Sequence, residues 1–276
     1  NGNAQKNEII TFKNSFHGRT LATLAAVSNP LHTEGFSPIP NGFLNIPLNE
    51  DSLKKSISDK TAGILIEPVQ GEGGINPVSN EFLSLIRKLC DDNNILMILD
   101  QVQCGMGRTG KLFSHEWSDI EPDIISLAKA LGAGFPIGAI LTSEDASKGM
   151  QPGSHGSTFG GNPVGCSIAL KVLELIEKDD ILSNVKDLSE ILISELDKLV
   201  KKHHNKISNV RGKGLMIGVE CIEKNSVITD EAFKNGLLLV NASNNVVRFL
   251  PPLNISETEI FEAIKKFDET LSNLDI

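Results

Sequence analysis

The chain has 276 residues, 40% of them hydrophobic, with a formal net charge of −9. No apolar run approaches the ~18 residues that a membrane-spanning helix needs, and the negative balance argues against a general nucleic-acid or membrane-surface partner. Cys90, Cys104, Cys166 and Cys221 form no CxxC pair and no zinc-finger spacing with histidine, so a reduced, cytoplasmic setting is expected.

Short apolar runs alternate with amphipathic stretches. Ile9–Phe12 reads as a strand, Gly63–Glu67 as a buried strand closed by Pro68, and residues 79–92 as a helix with Phe82, Leu85, Ile86 and Leu89 at helical spacing. Ile95–Asp100, Asp123–Ala128 and Ile137–Thr142 read as further buried strands. Strands that lack polar alternation and alternate with helices predict an α/β fold, with a mostly parallel sheet covered on both faces. Helices continue to about Lys202. Beyond them Leu215–Cys221, Leu237–Val240 and Val246–Leu250 read as strands, with helices near Asp230 and from Glu257 to about Leu271. The division expected is a large domain over 1–175 and a smaller α+β domain over 176–276.

In an open α/β sheet, ligands gather outside the carboxyl ends of the strands. Lys129 follows the third of the central strands, between apolar residues. A lysine desolvated there has a lowered pKa and becomes an amine nucleophile for a carbonyl; the bland reading is an ammonium that reaches solvent. Asp100 ends an apolar strand, and a carboxylate in that place can hold a pyridinium nitrogen protonated; the bland reading is a structural carboxylate. Gly105-Met-Gly-Arg-Thr-Gly110 matches GxGxxG, but a dinucleotide fold needs a helix to open within the glycines, and Lys111–Pro122 has no helical period. Residues 156–163 (GSTFGGNP) precede a helix and offer hydroxyls and N–H groups to a phosphate. Phe16 can stack on a planar ring, and Arg19 can pair with a carboxylate. Arg248 stands in an apolar strand and needs a carboxylate partner, for which Glu72 is a candidate.

The ordered set Asn-Ser-Phe-His-Gly-Arg-Thr (14–20), Glu-Pro-Val-Gln-Gly-Glu-Gly-Gly (67–74), Asp-x-Val-Gln (100–103), Gly-Arg-Thr-Gly (107–110), Ala-Lys-Ala-Leu-Gly (128–132) and His-Gly-Ser-Thr-Phe-Gly-Gly-Asn-Pro (155–163) resembles the class III pyridoxal-phosphate aminotransferases, of fold type I. The resemblance implies that Lys129 holds pyridoxal 5'-phosphate as a Schiff base and later shuttles the proton. It implies that Phe16 stacks on the ring, Asp100 pairs with the ring nitrogen, Gln103 bonds the ring hydroxyl and Thr158 contacts the phosphate across a homodimer interface. For substrate it implies Arg19, Ser157 and Arg248 as contacts, with Glu72 shielding Arg248 in one half-reaction.

A ping-pong transfer of a terminal amino group to 2-oxoglutarate follows. Within the family, His17 beside Phe16 and the Ser157–Thr158 pair favour acetylornithine as donor, in arginine biosynthesis. Ornithine, succinylornithine, N-succinyl-diaminopimelate and 4-aminobutyrate are the alternatives. Two departures stand out. Gln101 replaces a family glutamate, and the family's upstream glycine-rich phosphate loop is absent from a sequence that opens at Asn1. An upstream piece is therefore expected, and these 276 residues alone are expected to grip the cofactor poorly. The rival reading is a nicotinamide oxidoreductase.

Overall fold

A computed structural model describes residues 5–274. Its strands are β1 (Glu8–Phe12), β2 (Phe43–Ile46), β3 (Thr61–Ile66), β4 (Val69–Gln70), β5 (Asn76–Pro77), β6 (Leu96–Asp100), β7 (Ile124–Leu127), β8 (Ala139–Thr142), β9 (Ile207–Lys213), β10 (Met216–Cys221), β11 (Val240–Ala242) and β12 (Val246–Phe249). Its α-helices are α1 (Leu21–Ala25), α2 (Pro30–Thr33), α3 (Glu50–Ser56), α4 (Asn80–Asn93), α5 (Glu144–Ser147), α6 (Pro163–Lys178), α7 (Ile181–Lys202), α8 (Asn225–Lys234) and α9 (Glu257–Asn273). Two compact units result. The first takes the chain up to Pro68, Val78–Met106 and His115–Glu174; the second takes Val69–Pro77, Gly107–Ser114 and everything from Leu175 on.

The first unit is built on a six-stranded sheet of order β2-β1-β3-β6-β7-β8. All neighbours are parallel except β7 and β8. The continuous apolar sequences of β3 and β6 explain their central place, because strands covered on both faces need no polar alternation. Ile64, Ile66, Met97 and Leu99 are all at or below 1% exposure, and they pack with Leu83, Ile86 and Cys90 of α4. Gly63 lets β3 approach β6: a Cβ there would lie 2.8 Å from the Leu96 carbonyl oxygen. Ser79 starts α4 by accepting the Phe82 N–H, and Asn94 in the left-handed region ends it.

The sequence reading of Ile137–Thr142 as a buried strand fails in one respect. β8 is a shorter, antiparallel edge strand, and all four of its residues are exposed. β2 went unread because Phe-Leu-Asn-Ile is too short to show a period.

In the second unit four antiparallel strands, β11-β12-β10-β9, are covered by α7, α8 and α9. Leu192, Leu196, Ile217, Val247, Ile260 and Phe267 are among the residues that fill the space between. A Ser256–Glu259 capping box starts α9. The strand expected at Leu237–Val240 lies instead at Val240–Ala242, and β9 was not read at all. Val69–Pro77 joins this unit as the small β4–β5 ribbon. Among the described residues, no helix is long and apolar enough to cross a membrane.

Candidate active site

Because β1, β3, β6 and β7 run parallel, their carboxyl ends share one edge of the first unit's sheet. Glu67 follows β3, Asp100 ends β6, Lys129 lies two positions past the end of β7, and the segment 14–20 follows β1. Asp100 is 8% exposed. Its Oδ1 accepts the Val102 N–H at 3.1 Å and the Ser126 hydroxyl at 3.4 Å, and its Oδ2 lies 2.8 Å from His17 Nδ1. A carboxylate has about four lone-pair sites, so three donors from the described residues leave room for one more.

The sequence marks His17 only as a pointer to the donor, with no catalytic or structural role. Its side chain is 2% exposed, and its Nε2 has no hydrogen-bond partner among the described residues. One residue earlier, the Phe16 N–H donates to Glu67 Oε2 at 3.0 Å, and Glu67 is 3% exposed. Two buried carboxylates on neighbouring strands thus clamp the Phe16–His17 segment. No sequence signal short of the fold could have found this, since the partners lie 51 and 83 positions away. The Phe16 ring meets His32 edge-on at 5.6 Å, and the Arg19 guanidinium sits over that ring, 5.3 Å from its centroid. The two residues assigned to separate tasks are in contact.

Lys129 opens a 3-10 turn, Lys129–Gly132, with φ +46°. A left-handed non-glycine residue is uncommon, and such outliers gather at functional sites. Lys129 is exposed, however. The protein around it does not provide the desolvation invoked from its apolar neighbours in sequence. Gln103 lies in the turn that follows β6 and is partly exposed. Ser157 and Thr158 are exposed too, in the loop before α6. Ser157 Oγ accepts the Gly160 N–H, and the Asn162 side chain takes the Gly165 N–H at 2.8 Å, so one of the helix-start donors is already occupied.

Gln101 is 1% exposed, and its amide nitrogen lies 2.8 Å from His115 Nδ1. An amide NH₂ can only donate, so Nδ1 must accept, which requires a neutral ring. Burial lowers the His115 pKa and favours that neutral form. Here the amide suits a neutral imidazole, where a carboxylate at position 101 would favour an imidazolium.

In the second unit Arg248 is 6% exposed and its Nη1 donates to Glu72 Oε1 at 2.8 Å. Glu72 is about a third exposed. One partner is thus fixed and buried, while the other can turn toward solvent. The glycines of 105–110 start no helix: they lie in consecutive turns. Arg108 among them donates to the carbonyls of Leu215 and Pro251 at 2.9 and 2.7 Å, and burial pushes its guanidinium down to about 10. The dinucleotide reading has no structural basis there. Among the described residues there is no cluster of metal ligands.

The aminotransferase class-III family pattern matches residues 1–271. The chain belongs to the class III aminotransferases. It is 44% identical over 276 residues to an acetylornithine aminotransferase of Brucella melitensis, covering all of this chain and 68% of that one. Of solved structures, ornithine aminotransferase from Toxoplasma gondii, described with partial occupancy of PLP at its active site, superposes with a TM-score of 0.93 at 30% identity. It covers 97% of this chain and 65% of that one. N-acetylornithine aminotransferase from Stenotrophomonas maltophilia gives 0.81 at 34% identity, over 98% and 66%. The chain thus spans about two thirds of the length of these class III relatives.

Proposed function

We propose that this chain carries the greater part of a pyridoxal-phosphate-dependent transaminase, which moves the terminal amino group of N2-acetyl-L-ornithine to 2-oxoglutarate. The observation that carries the reading is the edge of the parallel sheet. There a buried carboxylate with one acceptor site left, a lysine in a left-handed turn and an aromatic ring follow successive strand ends. The residues fit the cofactor that the family uses. Asp100 offers the remaining lone pair to a ring N–H, Phe16 offers a face, and Gln103 offers an amide. Lys129 offers the amine that attaches it, and Thr158 offers a hydroxyl to its phosphate, supplied from a second copy of the chain. When bound, pyridoxal phosphate supplies an electron-withdrawing ring that stabilises negative charge at the donor carbon.

The protein's own work is then positional and acid–base. Asp100, fixed by His17 and the Val102 N–H, would present its carboxylate to the ring nitrogen. With the cofactor bound, Lys129 Nζ would accept the proton from the donor carbon and return it to the cofactor carbon. Ser157 contacts the donor, and Arg19 binds its carboxylate. Glu72 neutralises Arg248 in the donor half-reaction and leaves it in the acceptor half, when the α-carboxylate of the oxo-acid takes its place. Two substrates that each carry a carboxylate are thereby accommodated in a chain of net charge −9.

The support for acetylornithine is the run of relatives by that name at 42–48% identity. The test is a donor panel of acetylornithine, ornithine, succinylornithine, N-succinyl-diaminopimelate and 4-aminobutyrate against 2-oxoglutarate. Acetylornithine is expected to give the highest kcat/KM, and a higher value for 4-aminobutyrate or unmodified ornithine overturns the assignment.

A further inference from the structure

The turn that carries Glu72 is held more heavily than a surface turn requires. Every carbonyl from Glu72 to Ile75 has a donor. The Ser243 N–H reaches Glu72 O at 3.0 Å, and the side-chain amides of Asn76 and Asn244 reach Gly73 O at 2.8 and 2.9 Å. Arg211 Nε is shared between Gly74 O and Ile75 O, both at 3.0 Å. The turn is also strained: Ile75 is β-branched yet has φ +52°, a conformation that persists only when its surroundings over-determine it. Its side chain is fully buried, and it is seated so closely on β10 that a Cβ at Gly218 would lie 2.8 Å from its own.

Arg211 is in turn aimed. Its Nη1 pairs with Glu220 on the neighbouring strand β10 at 2.6 Å, which fixes the guanidinium plane and points Nε at the turn. A guanidinium presents its donors in a rigid fork, so one group can hold a carboxylate and two carbonyls at once. We infer that Arg211 is a positioning residue for the Glu72–Arg248 gate. By immobilising the backbone two and three residues beyond Glu72, it confines gating to rotation of the Glu72 side chain. It thereby sets how well Glu72 competes with a substrate carboxylate for Arg248. This rests on the reading of Arg248 as the carboxylate site.

The test is the affinity of the holoenzyme for glutarate, an unreactive dicarboxylate, measured by titration calorimetry in a double-mutant cycle. With the turn loosened in R211M, Glu72 competes less well, and glutarate is expected to bind about five- to tenfold more tightly, roughly the net value of one ordinary hydrogen bond. E72Q is expected to tighten glutarate similarly, and R211M added to E72Q to give no further gain. R211K keeps the charge but not the fork; it should fall between wild type and R211M, and it carries the same cycle if R211M does not fold. A shift of equal size in the E72Q background, or no shift at all beside a lowered melting temperature, assigns Arg211 a purely structural role and overturns the inference. Glutarate binding left unchanged by R248M overturns the underlying reading of Arg248 instead, whatever Arg211 does.

Discussion

Replacing His17 by leucine removes the only side chain among the described residues that lies within ion-pair distance of Asp100. The leucine keeps much of the volume and removes both ring nitrogens. Asp100 retains the Val102 N–H at 3.1 Å and the longer Ser126 contact at 3.4 Å. A hydrogen bond to a charged group contributes about 1.5–3 kcal/mol net, and the carboxylate stays buried when its donor goes. Stripping one partner from a buried pair costs about 3–5 kcal/mol where both groups are ionised. At 2% and 10% side-chain exposure the pair lies well inside solvent screening, so His17→Leu should cost about 2–4 kcal/mol in urea unfolding. His17→Gln restores an amide donor near the same place and should recover part of this loss. If leucine and glutamine give the same loss, or leucine costs under about 0.5 kcal/mol, the bond does not hold Asp100 as argued.

Two further outcomes follow from burial. His115 has its pKa lowered by desolvation, so it is neutral in the fold at pH values where the unfolded chain has already taken up a proton. The unfolded state then binds more protons, and stability falls as pH drops below about 6.5 until the lower folded value is passed. Urea midpoints between pH 7.5 and 5 should show that decline, and H115N should flatten it; a steeper decline in H115N contradicts the assignment. Burial also pushes the thiols of Cys90 and Cys221 up to about 12, while Cys166 is exposed. Iodoacetamide should therefore leave Cys90 and Cys221 unmodified in the folded protein and label them only in urea; mass spectrometry showing early labelling of either would mean that its helix or strand is not packed as described.

Much of the first unit could be read from sequence because its signals are local. The apolar runs of β3, β6 and β7 mark buried strands, and the polar residue at or just past each carboxyl end, Glu67, Asp100 or Lys129, then falls on the carboxyl edge of the sheet. The helical spacing of Phe82, Leu85, Ile86 and Leu89 marks α4 for the same reason. What escaped depends on pairing. β9 mixes Asn, Arg, Gly and Lys with few apolar residues and is a strand only because it lies against β10. His17 acquires a role only when β6 places Asp100 beside it, and Arg211 only when a turn 136 positions earlier comes within reach. The exposure of Lys129 could not be read either, since apolar neighbours along a chain do not say which way a side chain points at the end of a strand.

Lys129 is proposed to carry the cofactor. Borohydride reduction of the holoenzyme fixes pyridoxal phosphate to whichever lysine bears it, and peptide mass spectrometry then locates the modified residue. The added mass is expected on Lys129 alone, and is expected to be lost in K129A. Stoichiometric modification of any other lysine, or full labelling in K129A, would contradict it.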